Sequence, residues 1–198
     1  MLKIYNTLSK KIEDFIPINV SHIKIYVCGP TVYDKIHIGN ARPLVVFDTF
    51  VRLLRYKYPK VTYVRNITDV DDKINDRLIS EKITLKDLTD KTINDFQKDC
   101  TSLNNLYPDY EPRATEHISE MIKMIENLIL NEFAYLSEGH VLFNIKKFPE
   151  YGSLSNRTLD EMISGSRVEI ADYKINPGDF VLWKPSEQNI PGWESPWG

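Results

Sequence analysis

Short apolar runs with β-forming side chains alternate with longer stretches of helical spacing along this chain. Leu2 to Ile18 reads as a β-hairpin: Leu2-Lys3-Ile4-Tyr5 going out, a polar turn around Ser9-Lys10-Lys11, and a return through Phe15 and Ile16. A firmer strand follows at Ile23–Cys28 and is stopped by Gly29-Pro30, with 29–37 as a loop. From Ala41 to about Tyr56, Leu44, Phe47, Val51 and Leu54 share one face of a helix that Tyr58-Pro59 ends. A second strand spans Val61–Ile67. Strand, loop, helix and strand in so short a stretch make a βαβ unit, which predicts parallel strands and a right-handed crossover.

Beyond Thr68 the pattern is mostly helical. Asp71 to Glu81 is one helix, and Thr84 with Asp87 makes a capping-box start for another that runs to Leu103. Asn104 to Pro112 reads as a break with two prolines. Thr115 is the expected N-cap of a helix from Glu116 to Asn131, where Ile118, Ile122, Ile125 and Ile129 form a stripe. Phe133 to Ile145 reads as a second hairpin turning at Ser137-Glu138-Gly139, and from Phe148 onward the pattern is irregular. Trp183, Trp193 and Trp197 all lie near the C-terminus, where an exposed cluster would be an interaction surface; the expectation is either a tail folded back onto the body or a chain cut where a longer protein continues.

Composition narrows the class. The chain has 198 residues, 42% hydrophobic and 27% charged, which excludes a disordered tail, a collagen-like repeat and a rod. No apolar run approaches the roughly 20 residues that span a bilayer, so no membrane contact is expected and a cytoplasmic location is. Cys28 and Cys100 are too few for a disulfide framework and should stay reduced. A net charge of −3 argues against broad, nonspecific phosphate-backbone binding, so any nucleic-acid contact must be local or made elsewhere in a larger protein.

In a parallel sheet, ligands gather beyond the carboxyl ends of the strands. Two loops qualify: Cys28 to Asn40, and Asn66 to Lys73. His37-Ile38-Gly39-Asn40 opens the first helix, where unpaired N–H groups and the helix dipole favour an anion such as phosphate. His37 and Asn40 both supply hydrogen-bond donors, and Gly39 allows close approach to the backbone. Taken alone, the tetrapeptide is better accounted for by a capping histidine before a helix. Neither G-x-G-x-x-G nor the P-loop signature occurs, which argues against a dinucleotide dehydrogenase and a P-loop enzyme.

Longer blocks are more telling. Tyr26 to Asp34, His37 to Arg42 and Val64 to Lys73 closely resemble the cysteinyl-tRNA synthetase family of class I aminoacyl-tRNA synthetases. Tyr5-Asn6-Thr7-Leu8, Glu111 to Thr115, Asp179 to Lys184 and Ser195 to Gly198 add matches in the same order. The resemblance implies an α/β fold, the first half of a Rossmann-like parallel sheet carrying an inserted α+β connective segment. It places that half at 1–112 and the insertion at 113–198. It also implies ATP-dependent activation of cysteine to an adenylate and transfer to tRNA(Cys), with ATP and magnesium as substrate and a monomer as the working form.

Residue by residue, His37 and Asn40 fall on the family's His-Ile-Gly-His box as catalytic and ATP-binding positions, with Asn replacing the last His. Pro30, Thr31 and Gly39 fall on further ATP-binding positions. Gly29 and Thr68 fall on amino-acid-binding positions, where a carbonyl and a hydroxyl can receive an ammonium group. Cys28 falls on the first zinc ligand, whose metal would prefer a substrate thiol to a hydroxyl. From the residues alone, Cys28 is a small apolar side chain at a strand end, Thr68 a turn cap, and Asp69, Asp71 and Asp72 the acidic first turn of a helix.

In the family the other zinc ligands and a Lys-Met-Ser-Lys-Ser loop follow the point where this sequence stops, so the expectation is little or no ligase activity from these 198 residues alone. Competing readings are a stand-alone nucleotidylyltransferase with the same histidine box, a noncatalytic binding module, and a cysteine:glucosaminyl-inositol ligase.

Overall fold

The computed structural model describes residues 2–158, 161 and 171–198. Contacts divide the chain into two compact units: Pro17–Ile118 with Gln188–Pro191, and Met1–Ile16 with Ser119–Glu187 and Gly192–Gly198. The N-terminal hairpin thus groups with the later residues of the chain. Among the described residues no helix is long and apolar enough to cross a membrane.

The first unit is the parallel one. Strands β3 (Ile23–Val27) and β4 (Val61–Arg65) pair in parallel, Ile23 opposite Val61 through Val27 opposite Arg65, and α1 (Ile38–Lys57) connects them. This is the strand–helix–strand arrangement that the apolar pattern predicts. Helix α1 buries Ala41, Leu44, Asp48, Val51 and Leu54. Leu44 joins Val32, Ile67 and the α3 residues Ile93, Phe96 and Cys100 in one core cluster. Val51 joins Val27 and Tyr63 in a second.

Helices α2 (Asp72–Glu81) and α3 (Leu85–Ser102) start where short polar side chains take up free amides. Asp71 accepts from the amide of Lys73, and Thr84 from that of Asp87. Lys82 ends α2 in the left-handed region, at φ 53°. Ile74, Leu78 and Leu88 close these helices on each other.

Residues 104–112, a break by sequence, run alongside β4. The amides of Asp109 and Tyr110 donate to the Tyr63 carbonyl, and those of Arg65, Ile67 and Ala114 link to Tyr110, Pro112 and Ile67. Isolated bridges pair Val64 with Tyr110 and Ile67 with Arg113 in the parallel sense. Pro108 and Pro112 cannot donate, so the segment lies strand-like beside β4 without a continuous ladder. Arg65, 1% exposed, donates to Glu111 at 2.7 Å and lies 4.9 Å from the Phe96 ring centroid. Burial is the largest single influence and opposes the Arg65 charge, but the Glu111 carboxylate together with Cys100 and Tyr63 offsets it and the pKa is raised. Burial also pushes the Cys100 thiol up.

The second unit holds the hairpin β1 (Lys3–Asn6)–β2 (Lys11–Asp14), helix α4 (Ile118–Leu130, entering this unit at Ser119) and an antiparallel sheet of β5 (Ala134–Ser137), β6 (His140–Phe143) and β7 (Phe180–Trp183). The β5–β6 turn takes positive φ at Glu138 and Gly139, 47° and 75°, the two-residue hairpin geometry. β7 lies in the stretch read as irregular, and that reading also extends over 159–160 and 162–170, which are outside the described residues. Trp183 and Trp197 pack edge to face at 6.1 Å over Ile125, Ala134 and Val141, so these two rings fold back into a core.

Candidate active site

Because β3 and β4 are parallel, both candidate loops leave the same carboxyl end of their sheet, and main-chain contacts join them. Thr31 and Thr68 form a parallel bridge. The Val32 amide donates to the Thr68 carbonyl and the Thr68 amide to the Pro30 carbonyl, each at 3.0 Å. Asn66, for which sequence reasoning gave no role, ties them together: its Oδ1 accepts from the Gly29 amide at 2.8 Å and its Nδ2 donates to the Thr68 hydroxyl at 3.2 Å.

Gly29 is forced by this crossing. A Cβ there would stand 1.6 Å from the Asn66 carbonyl oxygen. The glycine is thus a steric requirement of the loop contact. Gly29, Pro30, Thr31 and Thr68 are brought together as half-buried neighbours, and Cys28 stands exposed at the end of β3.

His37 and Asn40 build the start of α1. His37 is the N-cap: its Nδ1 accepts from the Gly39 amide at 3.0 Å, and the Asn40 Oδ1 accepts from the His37 amide at 3.1 Å. The helix therefore begins at Ile38, three residues before the sequence expectation. Since Nδ1 accepts, the neutral ring carries its proton on Nε2. Asn40 Oδ1 is likewise engaged, so its Nδ2 is the group with protons to give. Capping thus engages one end of each side chain and leaves the His37 Nε2 and Asn40 Nδ2 as the remaining donors. A Cβ on Gly39 would meet the His37 ring at 2.7 Å, so that glycine gives the imidazole its room.

Acidic residues of the second loop do structural work. Asp69, 3% exposed, accepts from the Thr115 amide at 2.9 Å and from its hydroxyl at 2.6 Å. Thr115 is therefore a clasp for Asp69, and the expected N-cap role passes to Arg113 at the head of a 3-10 turn, Ala114–His117, that leads into α4. Among the described residues no three His, Cys, Asp or Glu side chains converge as a metal-binding group. A zinc centre takes four ligands, so Cys28 and its described neighbours do not by themselves fit one.

Comparison with known proteins agrees with the whole chain. A sequence-family profile described as tRNA synthetases class I (C) catalytic domain matches residues 14–198. The chain is 56% identical over 197 residues to the cysteine–tRNA ligase of Rhodospirillum rubrum, covering all of this chain and 43% of that protein. The cysteine–tRNA ligase of Paramagnetospirillum magneticum is 57% identical over the same span and share. The chain thus spans less than half the length of these relatives. A crystal structure described as a putative arginyl tRNA synthetase from Campylobacter jejuni superposes with a TM-score of 0.50 at 14% identity, over 67% of this chain and 39% of that one, a likeness of fold alone.

Proposed function

The chain belongs to the class I (C) tRNA synthetase catalytic-domain family, and from that membership we propose that it supplies the ATP- and cysteine-binding part of a cysteine–tRNA ligase. The observation that carries this reading is identity of 56% to a cysteine–tRNA ligase across the whole chain, both loops included. In this reading β3, α1 and β4 are the first half of a Rossmann-like sheet, residues 113–198 are the connective insertion, and the protein works as a cytoplasmic monomer on ATP with magnesium, cysteine and tRNA(Cys).

The chemistry follows from the donors. A cysteine carboxylate oxygen attacks the α-phosphorus of ATP, the bond to the bridging oxygen breaks, and pyrophosphate leaves. His37 Nε2–H and Asn40 Nδ2 donate to phosphate oxygens, and the amides opening α1 add their dipole where charge develops. Pro30 and Thr31 line the approach to the nucleotide. The Thr68 hydroxyl and the Gly29 carbonyl receive the substrate ammonium and aim its carboxylate at phosphorus. A terminal ribose hydroxyl of the tRNA then attacks the adenylate carbonyl, and AMP leaves. Asn40 in the fourth box position fits because an amide donates to phosphate as an imidazole does. Zinc at Cys28 requires further donors that the described residues do not supply.

The experiment is pyrophosphate exchange by the native-length protein with each amino acid in turn. Exchange with cysteine, and little with serine, is the expected result; exchange with no amino acid, or preferentially with another, overturns the reading.

A further inference from the structure

Helix α2 holds the loop between Cys28 and His37 from outside. Tyr33 packs against the cluster of Ile74, Leu78 and Leu88, and the Lys73 ammonium lies 4.8 Å from its ring centroid. One turn on, the Arg77 guanidinium donates to the Tyr33 carbonyl and lies 3.5 Å from the Asp34 carboxylate. Glu81, one turn further, accepts from Arg77 Nε at 2.6 Å and fixes the plane of the guanidinium. Asp34 in turn accepts from the Lys35 amide at 2.7 Å. Upstream, Val32 is stitched to Thr68; downstream, Ile36 packs on the main core cluster and His37 caps α1. Arg77 therefore grips the loop midway between its two fixed ends, four residues before His37.

We propose that Arg77 is a positioning residue for the nucleotide: by holding the Tyr33 carbonyl and the Asp34 carboxylate it sets where the His37 imidazole stands. The inference rests on the reading that His37 meets ATP, and deepens it. A planar guanidinium donates in two directions at once, which a lysine ammonium on a flexible stem does only in part. Helix α2 also begins straight after the loop that carries Thr68, so one rigid element sets the nucleotide loop by its side chains and the amino-acid loop by its N-terminus.

The test uses the native-length protein with Arg77→Ala, Arg77→Lys and Glu81→Gln. Arg77→Ala is expected to raise the KM for ATP in cysteine-dependent pyrophosphate exchange about tenfold, the loss of one charged hydrogen bond. The KM for cysteine stays near its unmutated value, while kcat falls with the displaced His37 donor. Amide hydrogen exchange of peptides covering 33–40 speeds up. Arg77→Lys recovers part of the ATP affinity, and Glu81→Gln, which leaves the loop contacts in place, keeps most of it. An active protein whose Arg77→Ala and Arg77→Lys forms keep their ATP KM overturns this inference alone. A uniform fall in all kinetic parameters with lowered Tm also overturns it, by making Arg77 merely structural. A native protein that exchanges nothing overturns the proposed function and this inference together.

Discussion

His37 and Asn40 hold each other across the first turn of α1, the imidazole Nδ1 taking the Gly39 amide at 3.0 Å while the Asn40 carboxamide oxygen takes the His37 amide at 3.1 Å. One end of each side chain is spent on the helix. The other end, Nε2–H of one and Nδ2 of the other, is aimed by that commitment.

Gly39→Ala tests whether the ring needs its room. The new methyl would meet the His37 Cε1 at 2.7 Å and drive the ring off the cap. Losing the cap costs about 1 kcal/mol, and alanine for glycine within a helix returns nearly as much. The expected outcome is a urea midpoint close to the unmutated one, together with a clear loss of ATP-dependent exchange.

At Gly29 the expectation is the reverse. A methyl 1.6 Å from the Asn66 carbonyl oxygen meets backbone, which cannot step aside as a side chain can. Gly29→Ala should cost more than about 3 kcal/mol, read as a lowered urea midpoint or failure to fold.

The βαβ segment was legible because its signals are local: a β-rich run stopped by Gly29-Pro30, a helical stripe through Leu44, Val51 and Leu54, and a second β-rich run at Val61. The start of α1 was less so, since a histidine cap lies outside the Ser, Thr, Asp and Asn set that marks helix starts. Segment 104–112 lost its extended character behind Pro108 and Pro112, whose missing amides hide a neighbour that only tertiary contact with β4 reveals. Thr115 carries the chemistry of a cap, and a buried Asp69 claims it instead. β7 lies among prolines and draws its place from pairing with β6, a partner some 40 residues away along the chain. At the site, the residue types were legible and their linkage through Asn66 and Arg77 was not, because neither lies in a spacing that announces a contact.

The Arg65–Glu111 pair supports a stability prediction. Glu111→Ala leaves a guanidinium that is 1% exposed without its carboxylate, and Gln97 without its acceptor. The expected loss is about 3 kcal/mol by urea denaturation. Pairing that change with Arg65→Met, which removes the stranded charge, should recover most of it.

Tyr135 gives a pH dependence. Burial, and then its hydrogen bond to Asp179, push its phenol up to about 12 from 10.0, although a bond from the Ile175 amide opposes this. The folded protein therefore keeps a proton that the unfolded chain releases. Its contribution to stability is complete below pH 10 and fades as pH rises from 10 towards 12. Melting curves across that window should fall with pH, and Tyr135→Phe should remove part of the slope.

The central claim is that the group capping α1 is also the group that meets ATP, and His37→Asn addresses it most directly. Asparagine caps a helix well, so the fold should stay within about 0.5 kcal/mol of the unmutated protein. Its remaining donor, Nδ2, sits one bond nearer the main chain than Nε2 and falls short of the same phosphate oxygen, so cysteine-dependent pyrophosphate exchange by the native-length protein should drop by about 100-fold or more. An equally stable variant that exchanges at the unmutated rate would contradict the account.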